Sequence, residues 1–228
     1  FSGNGGSSAV SAMDATAAGD IFDTFDAQTL NAAAVAETST AAGNAAMLTS
    51  PGGNDSLFYT APTLVDGLAI TASYNGEAGA ESSSAFGVTF SGVEGLTVNY
   101  GVGTDDGAAG TANNADVTTM KASYAVGPVT LAYSDHSYDS ATATRDQDTK
   151  SMSVAYTVTD SISVSYGTEE MSTGEASTVD AEFTKISASY TSGGMTITAT
   201  QAEAENISYG TGSTEDQDYW GLTLAFAF

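Results

Sequence analysis

The residues of this sequence that could carry acid–base chemistry are mostly carboxylates, with a single histidine. His136 lies beside Asp135, but a nucleophilic triad also needs a positioned nucleophile, and nothing in the sequence supplies one. Adjacent carboxylates such as Glu169 and Glu170 point to opposite sides of an extended chain, which is unsuited to paired acid and base catalysis. The sequence therefore predicts no catalytic residues and no enzyme.

Two acidic stretches could bind a hard cation: Asp146–Gln147–Asp148 and Glu215–Asp216–Gln217–Asp218. Their oxygen ligands are of the kind that Ca²⁺ prefers. Neither stretch matches an EF-hand or a glycine-rich calcium repeat, so solvated loop charge is the favoured interpretation and weakly bound Ca²⁺ the alternative. No other metal site or cofactor is predicted, and the absence of cysteine excludes thiolate sites and disulfides.

A third acidic group lies in GDIFDTFDAQTLNAAAVAE, residues 19–37. Asp20 could cap a short helix, with Asp23 at its third position and Asp26 in the next turn. The apolar residues would gather on one side of this helix: Ile21, Phe22 and Phe25. A helix that packs its aromatic side on a wall and lines a pore with its carboxylates fits this pattern, and so does an ordinary amphipathic surface helix.

The overall charge limits the possible partners. Four Lys and Arg residues stand against 28 Asp and Glu residues, a net charge of −24. Such a chain is not expected to bind nucleic acid or anionic membrane surfaces by electrostatic attraction. No apolar run is long enough for a transmembrane helix, and residues 1–10 lack the features of a signal peptide, so Phe1 is expected to begin a mature or truncated chain.

The elements that must position these residues are strands. In the final stretch DYWGLTLAFAF, large apolar residues alternate with small or polar ones: Trp220, Leu222, Leu224, Phe226 and Phe228. The same period of two recurs in ten earlier segments, beginning at Leu57 and Tyr59, and helical periodicity fits none of them. The sequence thus predicts eleven strands, each with one apolar face.

The connectors between these strands alternate in length. The short ones are residues 63–67, 91–95, 126–128, 157–160 and 191–194, and the long ones are residues 75–83, 103–116, 134–148, 167–182 and 201–217. Short turns at one end and long loops at the other are typical of a transmembrane β-barrel. Tyrosines near the strand ends share the apolar parity, as in aromatic girdles. Most acidic residues fall in the long connectors, and Lys150 is the one charged residue expected on the apolar parity.

The opposite parity is expected to face a lumen. It carries mostly Thr, Ser, Ala and Gly, with Asn99, Lys121 and Lys185 as exceptions, which favours a water-filled channel over a packed core. Eleven strands cannot complete a bacterial barrel of even strand number, so an odd number of strands is expected to precede Phe1. The alternative is a secreted acidic β-rich adhesin or surface-layer protein, in which the apolar parity forms a dry core.

On its alternating terminal strand and its turn pattern, the chain resembles the C-terminal two-thirds of a Gram-negative outer-membrane general-diffusion porin. Porins of this type are trimeric and sixteen-stranded, and the chain is most similar to the alphaproteobacterial ones. The resemblance implies that residues 1–55 form a loop folded into the pore and that residues 56–228 form strands six to sixteen. It also implies that WGLTLAFAF is read by the outer-membrane assembly machinery, through Trp220, Phe226 and Phe228.

The resemblance further implies a cell-outer-membrane location and passive diffusion of small hydrophilic solutes and ions without a cofactor. The expected partners are outer-membrane lipid, lipopolysaccharide and two further copies of the chain. Asp20, Asp23 and Asp26 would form the constriction, and Asn99, Lys121 and Lys185 would line the pore. The family's usual arginine cluster is absent from this sequence. Because only two lysines oppose the carboxylates, a cation preference is predicted.

Overall fold

Eleven strands and one short 3₁₀-helix make up the regular structure of the described part of the computed structural model. The structure describes residues 6–10, 13, 15–25, 55–76, 82–105, 114–141, 146–174, 176, 178–207, 209 and 216–227. The 3₁₀-helix spans Ile21–Thr24. The strands are β1 (Ser56–Thr60), β2 (Leu68–Asn75), β3 (Ser83–Val93), β4 (Leu96–Asp105), β5 (Ala115–Val126), β6 (Val129–Ser140), β7 (Gln147–Thr159), β8 (Ile162–Thr173), β9 (Ala181–Ser192), β10 (Met195–Glu205) and β11 (Gln217–Phe226).

All eleven strands belong to one antiparallel sheet in which each strand pairs with its neighbours in the chain, from β1 to β11. The predicted number of strands and their antiparallel arrangement are therefore confirmed. Within the described residues the sheet is open, with β1 and β11 at its two edges. No helix among these residues is long and apolar enough to cross a membrane.

The two faces of the sheet differ in what covers them. The described residues of segment 6–25 (6–10, 13 and 15–25) pack against one face, here called the inner face, and the other is called the outer face. Large apolar side chains of the outer face remain exposed, as Trp220 (80%), Leu222 (60%) and Phe226 (57%) of β11 show. The apolar parity that the sequence predicts is thus the uncovered face, which is the reverse of a dry core.

The predicted bounds of the long connectors are partly wrong, because the strands continue into them, and three connectors overlap the preceding strand by at least five residues. β6 extends to Ser140, β8 to Thr173 and β10 to Glu205, into the predicted connectors 134–148, 167–182 and 201–217. His136 therefore lies in β6 and not in a loop. We call the half of the sheet beside the long connectors the loop half, and the half beside the short turns the turn half.

The alternation is hard to recognise in the loop half because its polarity is reversed there. Its inner positions are buried and include large apolar residues, Val117, Tyr138, Met171 and Phe183, beside polar ones such as Gln147. Its outer positions carry carboxylates: Asp135, Glu170, Glu182 and Glu203. The expectation that Lys150 is the one charged residue on the outer parity is therefore wrong. The reversal follows from packing, since the inner positions of the loop half contact segment 6–25 and not water.

Candidate functional site

Segment 6–25 runs across the inner face from β2 to β10. At its beginning the backbone N of Ala9 donates to Ser73 Oγ of β2 at 2.8 Å. At its end the Phe25 ring lies 5.9 Å from the Phe183 ring of β9, and the 3₁₀-helix contacts β8, β9 and β10. The segment therefore spans most of the sheet.

The strands leave room for this segment where glycine replaces a larger residue. A Cβ at Gly167 of β8 would lie 2.7 Å from Ala18 Cβ, and a Cβ at Gly87 of β3 would lie 2.4 Å from Met13 Cε. Both distances are shorter than real Cβ contacts, but Met13 Cε is the movable end of a flexible side chain and Ala18 Cβ is not. The segment's close approach therefore depends most directly on Gly167.

A row of inner-face side chains in direct cross-strand register holds the middle of the segment. The row consists of Lys121, Ser134, Ser151, Glu169 and Phe183, one from each of β5 to β9. At the β5 end of the row, Lys121 Nζ donates to the carbonyl oxygens of Ala15 (2.7 Å) and Thr16 (3.1 Å). Ser134 Oγ accepts from Ala17 N and Ser151 Oγ from Ala18 N, each at 2.9 Å.

The next row towards the turn half adds further contacts. Ser153 Oγ donates to the Ala17 carbonyl at 2.7 Å, and Lys185 Nζ donates to the Gly19 carbonyl at 3.4 Å. The inner face of the sheet, here also called the wall, thus binds the segment largely through the segment's own backbone groups. Such contacts satisfy buried backbone donors and acceptors that would otherwise be costly.

Glu169 is the acidic member of the row and is 2% exposed. Its Oε1 accepts a hydrogen bond from Thr16 Oγ1, and its Oε2 accepts from Phe22 N at 3.1 Å. Thr16 and Asp20 also bond each other, since Thr16 N donates to Asp20 Oδ1 at 2.8 Å and Asp20 N donates to Thr16 Oγ1 at 2.7 Å. Glu169 therefore holds the turn from which the 3₁₀-helix starts.

A short 3₁₀-helix, Ile21–Thr24, lies in the stretch 19–37 for which a helix is predicted, and the rest of that stretch after Phe25 lies outside the described residues. Asp20 does not cap this helix as expected. Asp20 occupies the N-cap position in a left-handed conformation (φ 51°) and makes no side-chain cap hydrogen bond. The reason is that its carboxylate turns back to Thr16. The predicted gathering of the apolar side chains is confirmed, because all three are buried against the inner face: Ile21, Phe22 and Phe25.

Two of the three predicted constriction residues lie within the described residues. Asp20 is half-buried in its turn, and Asp23 lies exposed on the 3₁₀-helix. Asp26 lies outside the described residues. Their role in a constriction stays a prediction.

The predicted lining residues all lie on the inner face. Lys121 and Lys185 donate to segment carbonyls, and Asn99 Oδ1 accepts from Thr89 Oγ1 of β3 at 2.7 Å. Sequence reasoning missed Glu169, Thr16 and Phe183 as contributors to this site. Glu169 shares the parity of Ser163 and Ser165, and that parity was the one available signal.

The turn half of the inner face is lined by hydroxyl groups. Between β9 and β10 they form three cross-strand pairs: Ser187–Thr200 at 3.2 Å, Ser189–Thr198 at 2.8 Å and Thr191–Thr196 at 3.0 Å. Hydroxyls both donate and accept, so this surface is readily solvated. It has the character of a water-facing wall.

The sequence also raised a histidine site and two possible calcium sites, and the structure bears on each of them differently. His136 is buried on the inner face, whereas Asp135 lies on the outer face and accepts from Tyr133 Oη at 3.0 Å, so the two do not form a histidine–carboxylate pair. Asp146 Oδ1 accepts from Ser140 N at 2.8 Å, and Asp216 Oδ1 accepts from Asn206 N at 3.3 Å. In the described part of the chain, no group of three or more His, Asp or Glu side chains could hold a metal ion. Weak calcium binding stays a prediction, since Glu215 lies outside that part.

The connector after β10 also contributes to the buried cluster near the segment. Ile207 and Tyr209 are both buried there. Burial raises the pKa of the Tyr209 phenol to about 12, with nearby Asp180 acting in the same direction and Gln147 opposing it. The phenol is therefore neutral at physiological pH and serves packing.

Trp220 and Phe226 lie on the exposed outer face of β11, and Phe228 lies outside the described residues. The exposed rings agree with an outward-facing terminal strand. Their recognition by an assembly machinery stays a prediction.

Solved structures with a similar fold are bacterial porins and outer-membrane proteins. An anion-selective porin from Comamonas acidovorans has a TM-score of 0.62 and 15% identity, covering 78% of this chain and 60% of that one. A trimer form of OmpT from Vibrio cholerae, folded in vitro, has a TM-score of 0.52 and 14% identity, covering 77% and 65% of the two chains. A further structure described as a porin has a TM-score of 0.57 and 16% identity, covering 86% and 74%. At these identities the likeness shows the fold alone.

A comparison with protein families agrees with the fold, whereas no curated protein sequence matches the chain. The chain spans 60% of the length of the Comamonas porin. Residues 6–208 match the Gram-negative porin family, whose fold is that of a channel rather than an enzyme. The chain therefore belongs to the Gram-negative porin family, proteins of the Gram-negative outer membrane.

Proposed function

We propose that this chain supplies eleven strands of a passive diffusion channel for small hydrophilic solutes and ions. The two faces of the sheet support this proposal. The outer face of the turn half presents exposed apolar side chains suited to lipid, and the inner face presents hydroxyls suited to water. The adhesin alternative is not favoured, because it requires the apolar face to be covered.

The observation that carries the proposal is the course of segment 6–25. In a closed barrel, a segment bound across the inner face from β2 to β10 occupies part of the lumen and narrows it. Solutes would pass between this segment and the rest of the wall. No turnover and no cofactor are required.

The direct test of this function is conductance. The complete protein that carries this chain is reconstituted in planar bilayers and in liposomes loaded with sugars of increasing size. We expect stable ion conductance and a size limit for solute entry. A protein that inserts into the membrane but conducts neither ions nor sugars would contradict the proposal.

We further propose a moderate cation preference. It rests on the net charge of −24 and on the exposed carboxylate of Asp23, while the ammonium groups of Lys121 and Lys185 are engaged by segment carbonyls. The Comamonas porin is described as anion-selective, so the fold is compatible with the opposite preference. The charges at the narrowest point decide the matter, because they act in a lower dielectric than outer charges do.

The test of the cation preference is the zero-current potential in a KCl gradient. Replacing Asp23 and Asp26 together by Asn should shift it towards anions. The matched control replaces Asp66 and Asp160 by Asn, since these residues lie in short turns away from the segment. An equal or larger effect of the control pair would refute the assignment.

The partners belong to the same proposal. The trimer form of OmpT supports a homotrimer, and the exposed outer face supports contact with lipid and lipopolysaccharide. For assembly, replacing Phe228 by a polar residue should lower the membrane yield more than the same change at Ala227. Equal yields would argue against recognition of the terminal aromatic residue.

A further inference from the structure

Thr16 is a central contact between segment 6–25 and the inner face of the sheet, because hydrogen bonds occupy its backbone N, its carbonyl and its hydroxyl. Its backbone N and side-chain hydroxyl bond Asp20, its hydroxyl also donates to Glu169, and its carbonyl accepts from Lys121. Every polar group of Thr16 is therefore engaged, and the residue is 3% exposed. A fully satisfied buried polar residue fixes its surroundings in one arrangement.

The two wall groups that grip Thr16 carry opposite charges and come from different strands. Lys121 lies on β5 and Glu169 on β8, with the serines of β6 and β7 between them in the same register row. The Glu169 carboxylate reaches the segment at two points, Thr16 and Phe22. If the segment moved away from the inner face, this buried carboxylate would lose both hydrogen bonds. Such bonds are stronger than neutral ones because the acceptor is charged.

The position of this contact along the segment matters for the pore. Thr16 and Asp20 close the turn immediately before the 3₁₀-helix, and that helix carries exposed Asp23. Fixing Thr16 therefore fixes where the helix starts and how far the segment stands off the wall.

We propose that Thr16 and Glu169 form a latch that sets the width of the pore, with Glu169 as the positioning residue. The proposal rests on the diffusion function proposed above. Glu169 acts through the segment, and neither it nor Thr16 is required to touch the solute.

The first experiment compares Thr16→Val with Thr16→Ser in the complete protein in planar bilayers. Valine keeps the shape and removes the hydroxyl, whereas serine keeps the hydroxyl. Losing a hydrogen bond to a charged group should shift the ratio of released to seated segment by roughly 10- to 100-fold. We expect Thr16→Val to show larger or fluctuating conductance and a raised sugar size limit, and Thr16→Ser to resemble the unaltered protein.

Two further variants separate latching from folding. Glu169→Gln keeps the side-chain size but presents an amide NH₂ to one of the two donors, so it should behave like Thr16→Val. Thr168→Val removes a hydroxyl from the outer face of β8, next to Glu169 in the chain but away from the segment, and serves as the matched control, with unchanged conductance expected.

A disulfide provides the rescue experiment. Ala18 N lies 2.9 Å from Ser151 Oγ, and this chain has no cysteine. The pair Ala18→Cys and Ser151→Cys is used once loss of free thiol on oxidation has shown that the disulfide forms and staples the segment to the wall. Added to Thr16→Val or Glu169→Gln, the oxidised staple should restore the original conductance, and reduction should abolish the rescue.

The outcomes are distinct. Wide or fluctuating pores in Thr16→Val and Glu169→Gln that the staple corrects would support the latch. Unchanged conductance and size limit in both variants would overturn it, as would an equal effect of Thr168→Val or a failure of the oxidised staple to rescue. If the unaltered protein inserts but does not conduct, it is the diffusion function that fails.

Discussion

The loop half and the turn half of the same strands follow opposite rules. In the turn half of β8, Ile162 and Val164 face outwards and Ser163 and Ser165 face inwards. In the loop half of the same strand, Glu170 faces outwards and Met171 is fully buried on the inner face. Each half places its apolar side chains against whatever apolar material adjoins it.

Whether a strand position is apolar or polar therefore depends on what its side chain contacts, and not on whether it lies on the inner or the outer face. Segment 6–25 converts the inner face of the loop half into a small packed core. Where the segment is absent, the same face carries hydroxyls. The boundary between the two regimes is the row that contains Lys121 and Glu169.

The largest expected effect breaks the core of the loop half. Phe183→Ala removes a fully buried ring beside Phe25 and should cost about 3–5 kcal/mol, much of it in the seating of the segment. The matched control is Phe86→Ala on the outer face, where lipid can fill the space. Unfolding by urea in vesicles measures both, and equal losses would contradict the assignment of inner and outer faces.

The next effect places a charge on the outer face. Val154→Arg in the turn half should destabilise the inserted protein by about 2–4 kcal/mol, because the residue faces hydrocarbon. Glu170→Arg in the loop half should cost no more than about 1 kcal/mol, since that level is near the interface. Denaturant unfolding from vesicles measures both losses. If the two substitutions are tolerated equally well, the outer face of the turn half does not border lipid.

A smaller effect tests the close approach of the segment. Gly167→Ala places a methyl group against Ala18 and should cost about 1–3 kcal/mol of overpacking, with the segment displaced from β8. Gly221→Ala on β11 is the matched control, because its methyl group would meet only the movable hydroxyl end of Tyr219. Comparable changes in conductance from both variants would show that the position of the segment does not depend on Gly167.

The smallest effect sharpens the description of the turn half. Thr198→Val removes one member of the Ser189–Thr198 pair and should cost about 0.5–1.5 kcal/mol, as for an ordinary hydrogen bond that water can replace. Thermal unfolding of the reconstituted protein measures this loss. A cost as large as that of Phe183→Ala would mean that the hydroxyls are part of a packed core.

The sequence predicts the turn half well because an uncovered apolar face and a hydroxyl-bearing face impose a simple alternation of large apolar and small polar residues. The eleven strands, the apolar parity of the outer face and the short helix near Ile21 could be recognised from the sequence. The loop half could not, because the residues that cover its inner face lie more than 100 positions away in the chain, as for Thr16 and Glu169. Nothing local to Glu169 distinguishes it from a solvated loop carboxylate.

The central claim is that the inner face borders water and the outer face borders lipid, and cysteine accessibility tests it most directly. Single cysteines at Ser165 and Thr198 on the inner face are compared with single cysteines at Val164 and Ala199 on the outer face. In membranes, a small charged thiol reagent should label Ser165→Cys and Thr198→Cys and reduce their conductance, and should leave Val164→Cys and Ala199→Cys unlabelled. Labelling of the outer pair instead, or equal labelling of all four positions, would contradict the account.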